Sequence, residues 1–205
     1  PLYKYIIEGP DAQRFLDRMV TRNIGICKTG QVMYTPWCDE DGKQIDDGTI
    51  QRLSDQKFRI TSAEPNLEWI EYNAAGMDLS ILDDSYTTAA LAIQGPNSRT
   101  ILNAVTSDSL NNLSFFWMME TQFGDIPVSI SRTGYTGDLG YEIWMDTKDA
   151  LYVWDLLMDK GKPFGITPTG LQALDIARIE AGLILLDVDY ISSRNAIVES
   201  RKSSP

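Results

Sequence analysis

Two stretches far apart in the chain carry the same local pattern, and that repetition limits the folds open to the rest. YKYIIEGPDAQRFLDRMV, residues 3–20, reads as a strand that ends in Gly9-Pro10-Asp11 and enters a helix with Phe15, Leu16, Met19 and Val20 on one face. LAIQGPNSRTILNAV, residues 91–105, does the same: Gly95-Pro96-Asn97 answers Gly9-Pro10-Asp11, Ile101-Leu102 answers Phe15-Leu16, and Val105 answers Met19. The repeat predicts two related halves, residues 1–85 and 86–205, which together form one core. Independent reuse of common helix-start chemistry is the alternative.

Between the copies, VMYTPW, GTIQRL and KFRIT read as short strands joined by the turns CDEDGK and SDQ. AEPNLEWIEYNAA suits a helix and DLSIL a strand. After the second copy, LSFFWMME is apolar and aromatic, and IPVSISR and YEIWM alternate. Helices are expected near residues 147–160 and across TPTGLQALDIARIEAG. Antiparallel strands and helices without a regular βαβα rhythm predict an α+β fold.

Composition removes several classes of function. Hydrophobic residues make up 43% and charged residues 23% of the 205, which is the balance of a folded globular chain. A formal charge of −11 leaves no broad basic face for a phosphate backbone, so nucleic acid is not an expected partner. No apolar run approaches the roughly 18 residues that span a bilayer, and LYKYII lacks the charged-then-apolar pattern of a signal peptide. The expected location is therefore the cytoplasm, or the mitochondrial matrix in a eukaryote.

There is no histidine and there are two cysteines, which excludes ordinary zinc ligand sets and any triad built on imidazole. No metal is expected. Cys27 and Cys38 are read as thiols in a reducing compartment, with a disulfide as the alternative. Proton transfer near neutral pH falls to Asp, Glu, Tyr, Lys or Cys, or to the substrate itself.

Three segments could carry chemistry. SRTGYTGDLGYEIW, residues 131–144, places glycines at 134, 137 and 140. A phosphate cradle is a poor reading, because the glycines lead into a strand and Asp138 and Glu142 would repel an anion. Glycines also let the backbone approach a flat ligand, and a carboxylate such as Glu142 can accept two parallel N–H bonds from a guanidine-like edge. A plain hairpin with Glu142 in solvent or paired with Arg132 stays open. In CDEDGKQIDDGTI, Asp39 to Gly42 is turn chemistry. Asp46 and Asp47, read at a strand end, should point to opposite faces, so that one enters a site while the other stays wet. In DIARIEAG, Arg178 could hold a ligand carboxylate, or it could be a surface residue.

Together these segments resemble the aminomethyltransferase family, the T-protein of the glycine cleavage system and its folate-dependent relatives. RTGYTGDLGYE is similar to the family's RTGYTGEDGFE, with Asp138-Leu139 in place of Glu-Asp; GKQIDD resembles its GG-I/V-DD turn, LAIQGPNS its LALQGP, and ARIEAGL its RLEAGL. The resemblance implies a folate-binding domain of that type and tetrahydrofolate as cofactor. Glu142 would accept from the amino-pyrimidinone edge of the pterin with Tyr135 beside it. Asp47 matches the catalytic aspartate, Tyr34 a pocket tyrosine, Arg178 a pocket arginine and Phe116 an aromatic wall.

The implied reaction is aminomethyl transfer from a lipoylated carrier protein, with methylene-tetrahydrofolate as product. The alternatives are demethylation of a small N-, S- or O-methyl donor, and a folate-binding module without catalysis. The family's KGCYxGQE cysteine motif, found in its iron–sulfur assembly members, has no counterpart here. Gln51 stands where some members have tyrosine. The family's N-terminal segment and C-terminal barrel have no match in this chain, so partners are expected to include the remaining segments of a longer protein.

Overall fold

The computed structural model describes residues 2–196. The first antiparallel sheet contains β1 (Tyr3–Glu8), β2 (Val32–Cys38), β3 (Gln44–Arg52), β4 (Lys57–Ser62) and β5 (Ser80–Asp83), in the order β2-β3-β4-β1-β5. The second contains β6 (Thr88–Gln94), β7 (Met118–Phe123), β8 (Ile126–Ser131) and β9 (Gly140–Asp146), in the order β6-β9-β8-β7. The helices are α1 (Ala12–Met19), α2 (Leu67–Asn73), α3 (Ser98–Asn103), α4 (Ala150–Gly161), α5 (Leu171–Glu180) and α6 (Ser193–Ala196). This is an α+β fold with antiparallel sheets, as the patterning predicts.

The two sheets share one topology. If β6 is set on β1, β7 on β2, β8 on β3 and β9 on β4, the strand orders coincide. The likeness extends to single atoms. After α1, the N–H of Ile24 is capped by the Asp17 carboxylate at 2.5 Å; after α3, the N–H of Leu110 is capped by the Asn103 side chain at 3.1 Å. Arg52 donates to the Cys27 carbonyl at 2.8 Å, and Arg132 donates to the Leu113 carbonyl at 3.1 Å.

Contacts divide the chain into two compact units, one running through Ser85 and resuming at Leu185, the other from Tyr86 to Ile184. The segment from Leu185, assigned to the second half by sequence order, packs with the first unit. Arg194 on α6 ties it there by donating to the Pro65 carbonyl and to the Asn66 side chain at 2.6 Å.

Each unit buries its own core against one face of its sheet. In the first, Phe15 and Leu16 of α1 meet Tyr5, Ile7, Trp37, Ile50, Phe58 and Ile60. In the second, Ile101 and Leu102 of α3 join Phe123, Ile130, Tyr141, Ile143 and Val153. Strand alternation sends Tyr141, Ile143 and Met145 into that core, and Glu142 and Trp144 to the opposite face. Cys27 is buried, and both it and Cys38 are free thiols. No described helix is long and apolar enough to cross a membrane.

Candidate functional site

In the first unit the aspartate pair lies inside β3, which begins two residues earlier at Gln44. Asp47 is partly buried and accepts from the Tyr34 hydroxyl at 2.7 Å and from the Gln44 amide at 3.3 Å. Pro36 faces Asp47 across the ladder and Thr49 faces Tyr34, so this is a diagonal pair on one face of the sheet. Gly48 follows because any Cβ there would strike the Thr61 carbonyl on β4.

Asp46 departs from expectation. It points to the other face, as alternation requires, but it is fully buried and not wet. Its carboxylate accepts from the Asp47 N–H at 2.7 Å, the Asn66 amide at 2.7 Å and the Glu64 N–H at 3.2 Å. Burial pushes its carboxyl group above the usual aspartate range, and those donors pull it back. Asp46 thus holds the backbone from which Asp47 projects.

In the second unit Glu142 faces Ala92 on β6 and Ser131 on β8. A chain of donors reaches its carboxylate. Trp144 Nε1 donates to Ser131 Oγ at 3.1 Å, Ser131 Oγ lies 2.7 Å from Thr133 Oγ1, and Thr133 donates to Glu142 Oε2 at 2.5 Å. With Glu142 ionised, Thr133 gives its one hydroxyl proton to the carboxylate and accepts from Ser131, whose hydroxyl also lies 3.5 Å from the Glu142 carbonyl. Desolvation pushes the Glu142 carboxyl up, and the Thr133 hydroxyl pulls it back. The pairing with Arg132 left open by the sequence does not occur, because that guanidinium is turned to Leu113.

The glycines of the loop serve a purpose the sequence reading did not assign. A Cβ at Gly134 or Gly140 would overlap the side-chain amide of Gln94. Gln94 Nε2 donates to the carbonyls of Thr133 at 3.4 Å and Tyr141 at 3.2 Å, and its Oε1 accepts from the Thr136 hydroxyl at 3.2 Å. Two of the three glycines therefore make room for an internal amide, where the sequence had suggested room for a ligand. Gly137 adopts φ 76°, and its Cα sits against Ala181, with any Cβ falling 2.6 Å from that methyl.

The remaining expected residues also lie in this unit. The Tyr135 hydroxyl donates to the Ile184 carbonyl at 2.6 Å. Arg178 is 2% exposed, which removes the surface reading; it binds Asp175 at 2.7 Å and the Leu183 carbonyl at 3.2 Å. Phe116 is partly buried, stacks edge-on with exposed Phe115 and has φ 59°. It occupies the position that Gly30, at φ 80°, holds in the first unit, and both N–H groups bond to the equivalent arginine carbonyl, Arg132 and Arg52.

The sequence reading missed Ser131, Thr133 and Gln94. Ser131 and Thr133 stand four and two residues before Tyr135, which it did name, but a hydroxyl there carries no signal of its own. Gln94 lay within the quoted LAIQGP segment, and the loop's glycines were the clue to what it fills.

Comparison with known proteins decides the family. The family described as GCVT N-terminal domain matches residues 1–199. The chain belongs to the GCVT N-terminal domain family. An aminomethyltransferase of Halothermothrix orenii is 39% identical over 188 residues, which are 90% of this chain and 52% of that protein. A trimethylamine-oxide aldolase of Ruegeria pomeroyi is 40% identical over 200 residues, 92% of this chain and 25% of that one. The glycine cleavage system aminomethyltransferase T of Bartonella henselae superimposes with a TM-score of 0.79 at 28% identity, over 90% of this chain and 50% of that structure. The chain thus spans about half the length of the aminomethyltransferases it matches.

Proposed function

We propose that this chain supplies the folate-recognition and catalytic residues of a tetrahydrofolate-dependent one-carbon transferase. The carrying observation is Glu142, a carboxylate that accepts from the Thr133 hydroxyl on Oε2 and whose pKa is raised by desolvation, with no cation among the described residues to offset it. An amino-pyrimidinone edge presents two parallel N–H donors, which an ionised carboxylate accepts in bidentate fashion. Phe116 is the aromatic wall, and Tyr135 and Arg178 hold the loop and the end of α5 in place. When bound, tetrahydrofolate supplies the nitrogens that take up the one-carbon unit.

The chain's own catalytic group is Asp47. The Tyr34 hydroxyl and the Gln44 amide fix its carboxylate, and Asp46 fixes its backbone. So held, Asp47 orients or exchanges a proton with a reacting amine without first reorganising.

Aminomethyl transfer from a lipoylated carrier protein is the preferred reaction, supported by the aminomethyltransferases among the relatives. Demethylation of a small methylated amine is the second reading, favoured by the Ruegeria pomeroyi relative. The longer protein, assayed with tetrahydrofolate, separates them. Release of ammonia from an aminomethyl-lipoyl carrier supports the first, and a demethylated amine supports the second. Turnover that is independent of tetrahydrofolate overturns both.

A further inference from the structure

We infer that Gln94 is a positioning residue for ligand recognition by Glu142, an inference that rests on the folate reading above. Gln94 pairs with Gly140, and Ala92 pairs with Glu142, so Gln94 and Glu142 lie on the same face of the second sheet, one step of the pleat apart. The missing Cβ atoms of Gly134 and Gly140 let the Gln94 amide enter the loop.

Its two donated bonds then fall at the two ends of one contact. The Thr133 carbonyl belongs to the residue whose hydroxyl binds Glu142, and the Tyr141 carbonyl precedes Glu142 itself. The Thr136 hydroxyl holds the amide in the orientation that donates to both. A single side chain thus ties the donor and the acceptor of the Thr133–Glu142 bond to one frame.

The test uses shape-preserving variants of the 205-residue chain. Gln94→Glu keeps the size and can still accept from Thr136, but presents a second acceptor to the two carbonyls. Gln94→Met removes the donors without adding charge, and serves if the first variant fails to fold. Affinity is measured for tetrahydrofolate and for its 2-desamino analogue, which lacks the amino group that Glu142 would accept. The wild type should favour tetrahydrofolate by about tenfold or more. Either variant should bind tetrahydrofolate about tenfold more weakly and lose most of that preference.

A general loosening of the loop would weaken both ligands by the same factor and leave the preference intact; that result overturns the positioning role, as does unchanged affinity in both variants. Absence of tetrahydrofolate binding by the wild type overturns the folate reading instead.

Discussion

The Tyr34 hydroxyl donates to the Asp47 carboxylate at 2.7 Å, diagonally across the β2–β3 ladder. That bond and the one from the Gln44 amide both fall on the same carboxylate oxygen, Oδ2, and under the proposed function the other oxygen would meet the reacting group. Asp47→Asn should keep tetrahydrofolate affinity within about threefold and lower turnover by about 100-fold or more, the scale of general acid–base catalysis. Tyr34→Phe should give a smaller loss, about tenfold, with turnover falling more than affinity. Steady-state kinetics of the longer protein checks both, and turnover retained in Asp47→Asn removes its catalytic role.

Glu142, proposed above for recognition, also bears on stability. Desolvation raises its carboxyl group above the usual value of 4.5, so the folded state holds that proton more tightly than the unfolded chain does. The protonated form therefore stabilises the fold fully below that value, and the contribution is lost as pH rises through the folded pKa. Glu142→Gln keeps the neutral shape at every pH. Its melting temperature relative to wild type should rise as pH increases from about 4 to 8, as followed by circular dichroism. A difference that stays constant across that range would show that burial of the charge costs nothing.

Phe116 sits in a left-handed conformation that a bulky residue adopts at a cost of about 1–2 kcal/mol. Gly30 holds the same position in the other unit. Phe116→Gly should therefore be more stable than Phe116→Ala by about 1 kcal/mol in urea denaturation, since only the alanine keeps the strain. Equal stability of the two would mean that the backbone is not strained there. Both variants should weaken tetrahydrofolate binding if the ring forms the aromatic wall.

What was legible in the sequence follows physical range. Hydrophobic alternation and the Gly-Pro helix starts are local signals, and they revealed the strands, the helices and the repeated strand–turn–helix unit. The duplication goes deeper than the motif, reaching the Asp17/Asn103 caps and the Arg52/Arg132 bonds, where differing residues fill one geometric role. Among 29 acidic residues, Asp47 and Glu142 stood out through the resemblance of the segments that carry them, because a carboxylate beside a turn is common.

Their surroundings were not readable. The burial of Asp46 depends on Asn66 and Glu64, far along the chain, and the reason for Gly134 and Gly140 lies on β6. The surface alternative for Arg178 stayed open because a helix pattern does not show that its guanidinium binds Asp175 and the Leu183 carbonyl.

The central claim is that Glu142 binds the amino-pyrimidinone edge of tetrahydrofolate, and calorimetric titration of reduced folate into wild type and Glu142→Ala tests it most directly. The account predicts binding by the wild type and at least about a tenfold weaker affinity in the variant, with both folded by circular dichroism. Equal affinity in the two proteins would contradict it.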